Sequence, residues 1–342
     1  MTKRERVLAA IRHMPVDRPP KGETWIDGSL ANAILGTDYS TAYQCFARDK
    51  HIREFLNMDL VNVGDWPQKE IGTDQNGNTV YRSNYGYEFI ERASKHVTKP
   101  PIDDIFDAED YVKPDINNVD PTIVKKYKEE TDQFVFAQIG GPVSMLNEMF
   151  DMEDYMVYCL TNTDEMKIIA DKVMEYEIEK AKLFLDHGAD AIFFADDIAF
   201  NTGVFLPPRI MDVLAWPYYE QVVKEIKAYK DVPVFAHSDG DLNSVMDKYV
   251  ELGFDGIQSL QPSANMDIQT IKERYGDQLC LWGNIDLDYV MSFASPEEVR
   301  DTVRKTIDIA NVNGGFILST CNSMVSSIPP QNVLAMMEEA ER

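Results

Sequence analysis

The chain has 342 residues, of which 58 are acidic and 33 basic, and its formal net charge is −25. This length suffices for two domains or for one large α/β barrel. The acidic surplus repels nucleic acid and anionic membrane surfaces, so we exclude both as partners. Four widely spaced cysteines without a Cys-x-x-Cys pair indicate a reducing compartment. No run of about 18 apolar residues occurs, and we expect a cytoplasmic protein.

The first third of the chain predicts helices, two strands and an inserted hairpin. An amphipathic helix opens the chain and ends at a proline-rich break. Further on, the pattern predicts a helix at about residues 40–57 and strands at residues 21–26 and 59–64. Residues 71–102 carry an Asn-Gly pair between two strand-like segments, which is typical of a tight hairpin turn. We interpret this segment as a β-hairpin insertion after the second strand.

From residue 120 onward, helical patterns alternate with short apolar runs that end in Gly, Asp or Asn. These runs cover residues 134–140, 191–197, 233–240, 256–261, 279–286 and 315–321. Together with the two earlier candidates they make eight strands. Repeated strand–helix units imply parallel strands, so we predict an α/β fold, a single (β/α)8 TIM barrel that spans residues 1–342 as one domain. An open doubly wound sheet is the alternative, but no Gly-x-Gly-x-x-Gly follows a strand.

In such a barrel the carboxyl ends of the strands surround one mouth, where functional residues lie. The side chains predicted at this mouth are Glu23, Asp65, Trp66, Gln138, Asp196, Asp197, His237, Asp239, Gln258, Gln261, Asn284, Asp286, Cys321 and Asn322. The set is rich in acids and amides and almost without Arg or Lys. Because a polycarboxylate or phosphorylated ligand needs cationic donors, we predict a neutral or cationic substrate, or a metal.

His237 and Asp239 follow a buried strand and point to the same side of it, because side chains alternate along an extended chain. Together with Cys321 they offer nitrogen, oxygen and sulfur donors, and three protein ligands with an open fourth position are typical of catalytic zinc. Each residue also has a structural interpretation. His237 can be a satisfied core histidine, Asp239 a helix cap and Cys321 a small buried hydrophobic residue.

Asp196 and Asp197 form a carboxylate pair directly after another apolar run, and one of the two faces the mouth. Burial or proximity of like charges raises a carboxyl pKa, which makes a proton donor. We therefore treat Asp196, Asp197 and Asp239 as candidate catalytic residues. The alternative is that one aspartate caps a helix and the other is a structural acceptor. The candidate substrate-binding residues are Glu23, Trp66, Gln138, Gln258, Asn284 and Asn322.

Several motifs resemble the uroporphyrinogen decarboxylase superfamily, and within it the cobalamin-dependent methyltransferases. They are the opening Arg-Glu-Arg-Val-Leu-Ala-Ala-Ile-Arg with Pro-Val-Asp-Arg-Pro-Pro, then His-Ser-Asp-Gly-Asp at residues 237–241, Trp-Gly-Asn-Ile-Asp at residues 282–286, Ser-Pro-Glu-Glu-Val at residues 295–299, and Pro-Gln-Asn-Val at residues 330–333. The resemblance implies a (β/α)8 barrel, often a homodimer.

For the methyltransferase branch the resemblance also implies zinc held by a His-x-Cys motif and a distant cysteine. His237 and Cys321 match the first and last of these ligands, whereas Asp239 stands at the middle position, and a carboxylate is a harder ligand than a thiolate. The arginine-rich substrate motif of the decarboxylase is missing after the first predicted strand.

These observations lead to a functional hypothesis, a zinc-assisted methyltransferase component, most simply of the O-demethylase type. It moves a methyl group from a methoxylated aromatic or a methylamine to the cobalt of a separate corrinoid protein. The corrinoid is expected on a partner, because this chain lacks the Asp-x-His-x-x-Gly signature of many carriers. The alternatives are a metal-free decarboxylase or lyase of the same superfamily and a non-catalytic protein that binds a small ligand.

Overall fold

The computed structural model describes residues 1–42, 45–91 and 95–342. Its strands, in chain order, are β1 (Leu60–Val63), β2 (Gln68–Thr73), β3 (Thr79–Ser83), β4 (Glu88–Glu91), β5 (Lys95–Lys99), β6 (Phe134–Gly140), β7 (Ala191–Ala195), β8 (Ala199–Phe200), β9 (Gly203–Val204), β10 (Val234–Ser238), β11 (Gly256–Ser259), β12 (Cys280–Ile285) and β13 (Phe316–Thr320). Seven of them form a parallel sheet, curled into a half-barrel, in the order β1-β6-β7-β10-β11-β12-β13.

Seven of the eight predicted parallel strands are therefore present, and the prediction was wrong for the first one. Residues 21–26 make only isolated bridges, Lys21 to Leu318 and Ile26 to Met324. The backbone of residues 20–22 still bonds to both edges of the sheet, because Leu318 N–H donates to Pro20 O at 2.8 Å and Asp59 N–H donates to Lys21 O at 2.8 Å. The ladder then stops, since the side chain of Glu23, and not a backbone carbonyl, accepts the N–H of Thr320.

The helices lie between the strands along the chain, and most begin at a recognisable signal. They are α1 (Lys3–Ile11), α2 (Gly28–Leu35), α3 (Phe46–Phe55), α4 (Thr122–Glu130), α5 (Pro142–Glu148), α6 (Met152–Thr161), α7 (Thr163–Asp186), α8 (Pro208–Leu214), α9 (Trp216–Tyr229), α10 (Met246–Glu251), α11 (Ile268–Tyr275), α12 (Pro296–Ala310) and α13 (Pro330–Glu339). Ser295 and Glu298 form a reciprocal capping box at the start of α12. The predicted helix over residues 40–57 is α3, and residues 43–44 of that prediction lie outside the described part.

Short helical turns complete the backbone: 3₁₀ turns at Ile105–Asp110, Ile116–Asn118 and Pro262–Ala264, and a π-type turn at Leu287–Met291. No helix in the described ranges is both long enough and apolar enough to span a bilayer.

The inside of the curled sheet is filled by side chains that alternate along its strands. Its lower part is an apolar cluster consisting of Leu60, Phe134, Phe136, Ala191, Phe193, Phe235, Cys280, Trp282 and Ile317, together with Val7, Ala10 and Ile11 of α1. Aromatic rings dominate this cluster, and the Phe136 and Trp282 centroids are 4.9 Å apart. The inside is thus a packed core, and any chemistry is confined to the positions nearer the carboxyl ends of the strands.

Where the sequence predicts a single hairpin, residues 68–91 and 95–99 contain a four-stranded antiparallel sheet, β2-β3-β4-β5. Residues 92–94 of the predicted insertion lie outside the described part. Tyr85 and Tyr87 are buried in the turn that connects β3 and β4, and they donate their hydroxyl hydrogens to Glu177 of α7 and Glu148 of α5. Helix α5 begins directly after β6, at the carboxyl end of the strand, where the mouth lies. Through the contact with Glu148 of α5, the second sheet therefore supports one wall of the mouth.

Candidate active site

A layer of mainly polar side chains, with Ala195 as its apolar member, lies directly above the apolar cluster. Two residues beyond each inward-facing apolar residue, the alternation places another inward-facing side chain. These positions hold Asn62, Gln138, Ala195, His237, Gln258, Asn284 and Ser319. The change from apolar to polar at the same height on neighbouring strands therefore follows from the sequence period together with the strand register.

His237 is the only ionisable group of this layer, and its two ring nitrogens have different neighbours. Nδ1 contacts Oε1 of Gln258 on the adjacent strand β11. Nε2 lies 3.5 Å from Oδ1 of Asp197. Because an amide oxygen only accepts, Nδ1 donates to Gln258, and in the neutral form of the ring Nε2 carries the lone pair on the side of Asp197. This tautomer is the one in which Nε2 can bind a metal.

Asp239 is held next to His237 by hydrogen bonds to both of its oxygens. Ser259 Oγ donates to Oδ1 at 2.8 Å, and Asn322 Nδ2 donates to Oδ2. Burial raises the pKa of this carboxyl, and the nearby His237 opposes the rise. The carboxylate is thus fixed in orientation, and Asn322 positions it from the loop after β13.

The two adjacent aspartates have separate environments. Asp196 is fully buried and accepts hydrogen bonds from the N–H of Ser144 at 2.6 Å, the N–H of Val143 at 3.2 Å and the hydroxyl of Tyr219 at 2.9 Å. Burial raises its pKa to about 7. The Asp197 side chain is 60% exposed and faces the mouth, so the pair consists of one structural acceptor and one residue available for chemistry.

Asp197, His237 and Asp239 bring one possible ligand atom each to within 4.8 Å of one another. We call these three residues the triad. Cys321, which the sequence analysis groups with His237 and Asp239, is not part of this cluster among the residues that the structure describes. Its thiol is buried against the backbone of Leu287, and burial raises its pKa to about 12. The structure thus supplies Asp197 where the sequence analysis expects a thiolate.

Two cavities adjoin the triad and share Gln138 and His237 as a common wall. The first has a volume of about 330 Å³ and is lined by Trp66, Gln138, Gly140, Ser144, Met145, Glu148, Ala195, Asp196, Asp197 and His237. The second has a volume of about 260 Å³ and is lined by Thr24, Trp25, Asn62, Gln138, Phe193, His237, Asn322 and Ser323. Volumes of this size accommodate a small molecule.

The other predicted substrate-binding residues are distributed unevenly around these cavities. Trp66 and Gln138 line the first cavity, and the ammonium group of the buried Lys180 lies 5.0 Å from the centroid of the Trp66 ring. Asn322 lines the second cavity. Gln258 lies beside His237 on the neighbouring strand β11, and the two side chains are hydrogen-bonded.

Glu23 and Asn284 do not line either cavity in the described part of the chain. Glu23 is fully buried and bonds to Thr320. Asn284 donates to the backbone oxygen of Leu260 at 3.0 Å. Both side chains are therefore structural contacts of the site and not part of its surface.

Sequence reasoning missed several residues of the site, and Asn62 and Ser259 are two that support its predicted members. Asn62 donates to Gln138 Oε1 at 2.6 Å and lines the second cavity. Ser259 holds Asp239. The signal for Asn62 was available, because it lies two positions after the inward-facing Leu60 in a predicted strand. Ser259 is a strand-end residue with positive φ (99°), and no alternation rule gives its direction.

Comparison with known proteins gives the family. Residues 84–342 match the model of the Uroporphyrinogen decarboxylase (URO-D) family. The chain is 23% identical over 220 residues to methylcobamide:CoM methyltransferase MtbA of Methanosarcina acetivorans, covering 64% of this chain and 60% of that protein. It is 24% identical over 275 residues to uroporphyrinogen decarboxylase of Chlorobaculum tepidum, covering 73% of each.

A solved structure supports the same assignment at the level of the fold. A methyltransferase from Methanosarcina mazei superposes with a TM-score of 0.78 over 100% of this chain and 98% of that one, at 17% identity. At this identity the likeness establishes the fold, which is that of a TIM-barrel-like enzyme family with methyltransferases and decarboxylases among its members. The chain belongs to the uroporphyrinogen decarboxylase (URO-D) family.

Proposed function

We propose that this protein is a methyltransferase component that moves a methyl group from a small donor to the reduced cobalt of a separate corrinoid protein. The observation that carries the proposal is the convergence of Asp197, His237 and Asp239 between two cavities at the carboxyl ends of the strands. The similarity to a methylcobamide:CoM methyltransferase supports the reaction class.

The triad fits a divalent metal ion, zinc in the first instance. The hydrogen bond at Nδ1 leaves the Nε2 lone pair of His237 available, and Asp239 is oriented by Ser259 and Asn322. One imidazole and two carboxylates form a three-ligand set that leaves positions open toward the cavities. A bound ion there would withdraw electron density, as a Lewis acid, from the leaving atom of the donor.

The second cavity favours an uncharged donor. Among its described lining residues, His237 is the only one with an ionisable side chain, and Trp25 and Phe193 supply aromatic surface. A protonated amine would leave water there without gaining a counter-ion, which is costly. We therefore propose a methoxylated aromatic donor. Its methyl–oxygen bond breaks, the methyl carbon is passed to cobalt, and the departing phenolate oxygen takes up a proton.

A decarboxylase of the porphyrinogen type is less compatible with this site. Its substrate carries several carboxylates, which need cationic partners. Neither cavity has an Arg or Lys among the lining residues that the structure describes. The first cavity instead contributes three carboxyl groups, from Glu148, Asp196 and Asp197.

The test is an anaerobic assay with a reduced corrinoid protein and a panel of methyl donors. Loss of reduced-cobalt absorbance with methoxyarenes, and not with methylammonium salts of similar size, is the expected result. H237A is expected to be inactive, and Cys321→Ala serves as the matched control that retains activity. Turnover by H237A, or release of CO2 from a carboxylated substrate without added metal, would contradict the proposal.

A further inference from the structure

Glu23 occupies a buried position behind the active site. Its side chain is fully buried, and among the described residues its carboxyl oxygens bond only to Thr320. Arg53 donates to the backbone oxygen of Glu23 at 2.9 Å and not to its carboxyl group. An ionised carboxylate in such a position would pay a large desolvation cost without an ion pair at its oxygens.

The hydrogen bonds around Thr320 indicate the protonation state of the Glu23 carboxyl group. The N–H of Thr320 donates to Glu23 Oε1 at 2.9 Å, so Oε1 is an acceptor. Thr320 Oγ1 lies 2.6 Å from Glu23 Oε2 and also contacts the backbone oxygen of Asn322. A hydroxyl has one hydrogen, and a carbonyl oxygen only accepts. Both contacts are hydrogen bonds if Thr320 donates to Asn322 and Glu23 Oε2 donates to Thr320.

This chain of hydrogen bonds ends at the triad. The Thr320 hydroxyl donates to the backbone oxygen of Asn322, and the side-chain amide of Asn322 donates to Asp239. Asn322 also lines the second cavity. The position of one triad carboxylate therefore depends on a residue, Glu23, that touches neither cavity.

We propose that Glu23 is a positioning residue, a neutral carboxylic acid that fixes the loop of Asn322 through Thr320 and so orients Asp239. Its carbonyl oxygen accepts the N–H of Thr320, and its hydroxyl group donates to the Thr320 side chain. The role differs from the substrate contact that the sequence predicts for Glu23, because the residue acts through its neighbours.

A pair of substitutions at Glu23 separates this role from that of an ionised carboxylate. Glu23→Gln keeps one acceptor and one donor at the same places, so it mimics the neutral acid. Glu23→Ala removes both, and Thr320→Val breaks the next link while Thr320→Ser preserves it. We expect E23Q and T320S to behave like the unaltered protein and E23A and T320V to share one defect.

The first readout is nuclear magnetic resonance of the metal-free protein with carbon-13-labelled glutamate carboxyls and nitrogen-15 amides. One carboxyl is expected to keep the shift of a protonated acid at pH 6 and to vanish from the spectrum in E23Q. The side-chain amide signals of Asn322 are expected to move in E23A and T320V and to stay in place in E23Q and T320S. An ionised Glu23 at pH 6, or an Asn322 signal displaced equally in E23Q and E23A, would overturn the proposal.

The second readout, cobalt(II) affinity measured by visible absorbance, rests on the proposed metal function. Because supporting residues of metal ligands typically contribute 10–100-fold in affinity, E23A and T320V are expected to lose about that much and E23Q to lose nothing. If E23Q lowers the cobalt affinity as much as E23A does, Glu23 does not act as a neutral acid. If the unaltered protein binds no cobalt, the metal proposal fails, and the magnetic resonance data decide the role of Glu23 alone.

Discussion

The ring nitrogen Nε2 of His237 lies 3.5 Å from Oδ1 of Asp197, although the two residues are 40 positions apart in the chain. Strands β10 and β7 pair in parallel with His237 opposite Ala195, so a residue two positions beyond Ala195 is brought to the imidazole. The backbone N–H of Asp239 also donates to Asp197 Oδ1, at 3.2 Å. Asp197 thus connects the other two members of the triad.

Asp197→Asn is expected to reduce metal affinity while leaving the fold intact. The amide keeps the oxygen that accepts from Asp239 but loses the charge that a divalent ion requires. Because the side chain is 60% exposed, the free energy of unfolding should change by less than about 0.5 kcal/mol. Calorimetric titration with zinc and thermal melts check both parts. Unchanged zinc affinity in D197N would remove Asp197 from the ligand set.

Asp196→Asn is the matched control for the neighbouring carboxylate, and it should act on stability. An amide nitrogen would replace one acceptor oxygen and leave a buried donor, such as the N–H of Val143, without a partner. The cost of such a group is about 1–3 kcal/mol. Urea unfolding of D196N and D197N side by side measures the difference. Equal stability of the two variants would mean that the buried acceptor role of Asp196 is incorrect.

Gln258→Leu is expected to weaken metal binding through His237. The substitution removes the acceptor that keeps the imidazole proton on Nδ1, so the ring is free to rotate and to change tautomer. Losses of about 10–100-fold in metal affinity are typical of such supporting contacts. Gln258→Glu retains an acceptor and should lose less. A Leu variant that binds metal as tightly as the Glu variant would contradict this role.

Stability should fall as the pH rises toward 8, because burial raises the pKa of both Glu23 and Asp196 to about 7 from ordinary values of 4.5 and 3.8. The folded protein then binds these protons more tightly than the unfolded chain. Their stabilising contribution is complete below the unfolded pKa values and is lost as the pH passes through about 7.

For Glu23 alone the contribution lost is about 3 kcal/mol, as an order of magnitude. Urea unfolding at pH 5, 6, 7 and 8 measures it, and E23Q should show a shallower decline than the unaltered protein because one of the two groups is gone. Stability that rises over this interval, or a decline of the same size in E23Q, would be inconsistent with these pKa values.

The sequence alone predicted the regular parts of the fold well, because seven of the eight predicted parallel strands lie within the predicted ranges. A strand buried on both faces leaves a clear apolar run, and its last inward-facing residue follows from alternation, which is why His237 was found. The first strand was not formed because the Glu23 side chain replaces the backbone at Thr320. Because that contact joins residues 297 positions apart, no local sequence pattern predicts it.

Residues beyond the ends of the strands were also hard to place from the sequence. The sequence analysis did not assign an inward-facing register to residues 191–197, so it left open which of Asp196 and Asp197 faces the mouth. Strand β7 ends at Ala195, and the residue that faces the mouth is Asp197, two positions beyond it. The sequence also did not show that Cys321, one residue past β13, is buried against the backbone of Leu287. The residues on the strands were therefore easier to place than the residues on the loops that complete the site.

Elemental analysis of the purified protein by plasma mass spectrometry tests the central claim, a metal ion held by Asp197, His237 and Asp239. H237A and Cys321→Ala are the comparison proteins, since one removes a triad member and the other a thiol outside the triad. We predict about one divalent ion per chain in the unaltered protein and in C321A, and its loss in H237A. Metal that persists in H237A, or that is lost in C321A and not in H237A, would contradict the assignment.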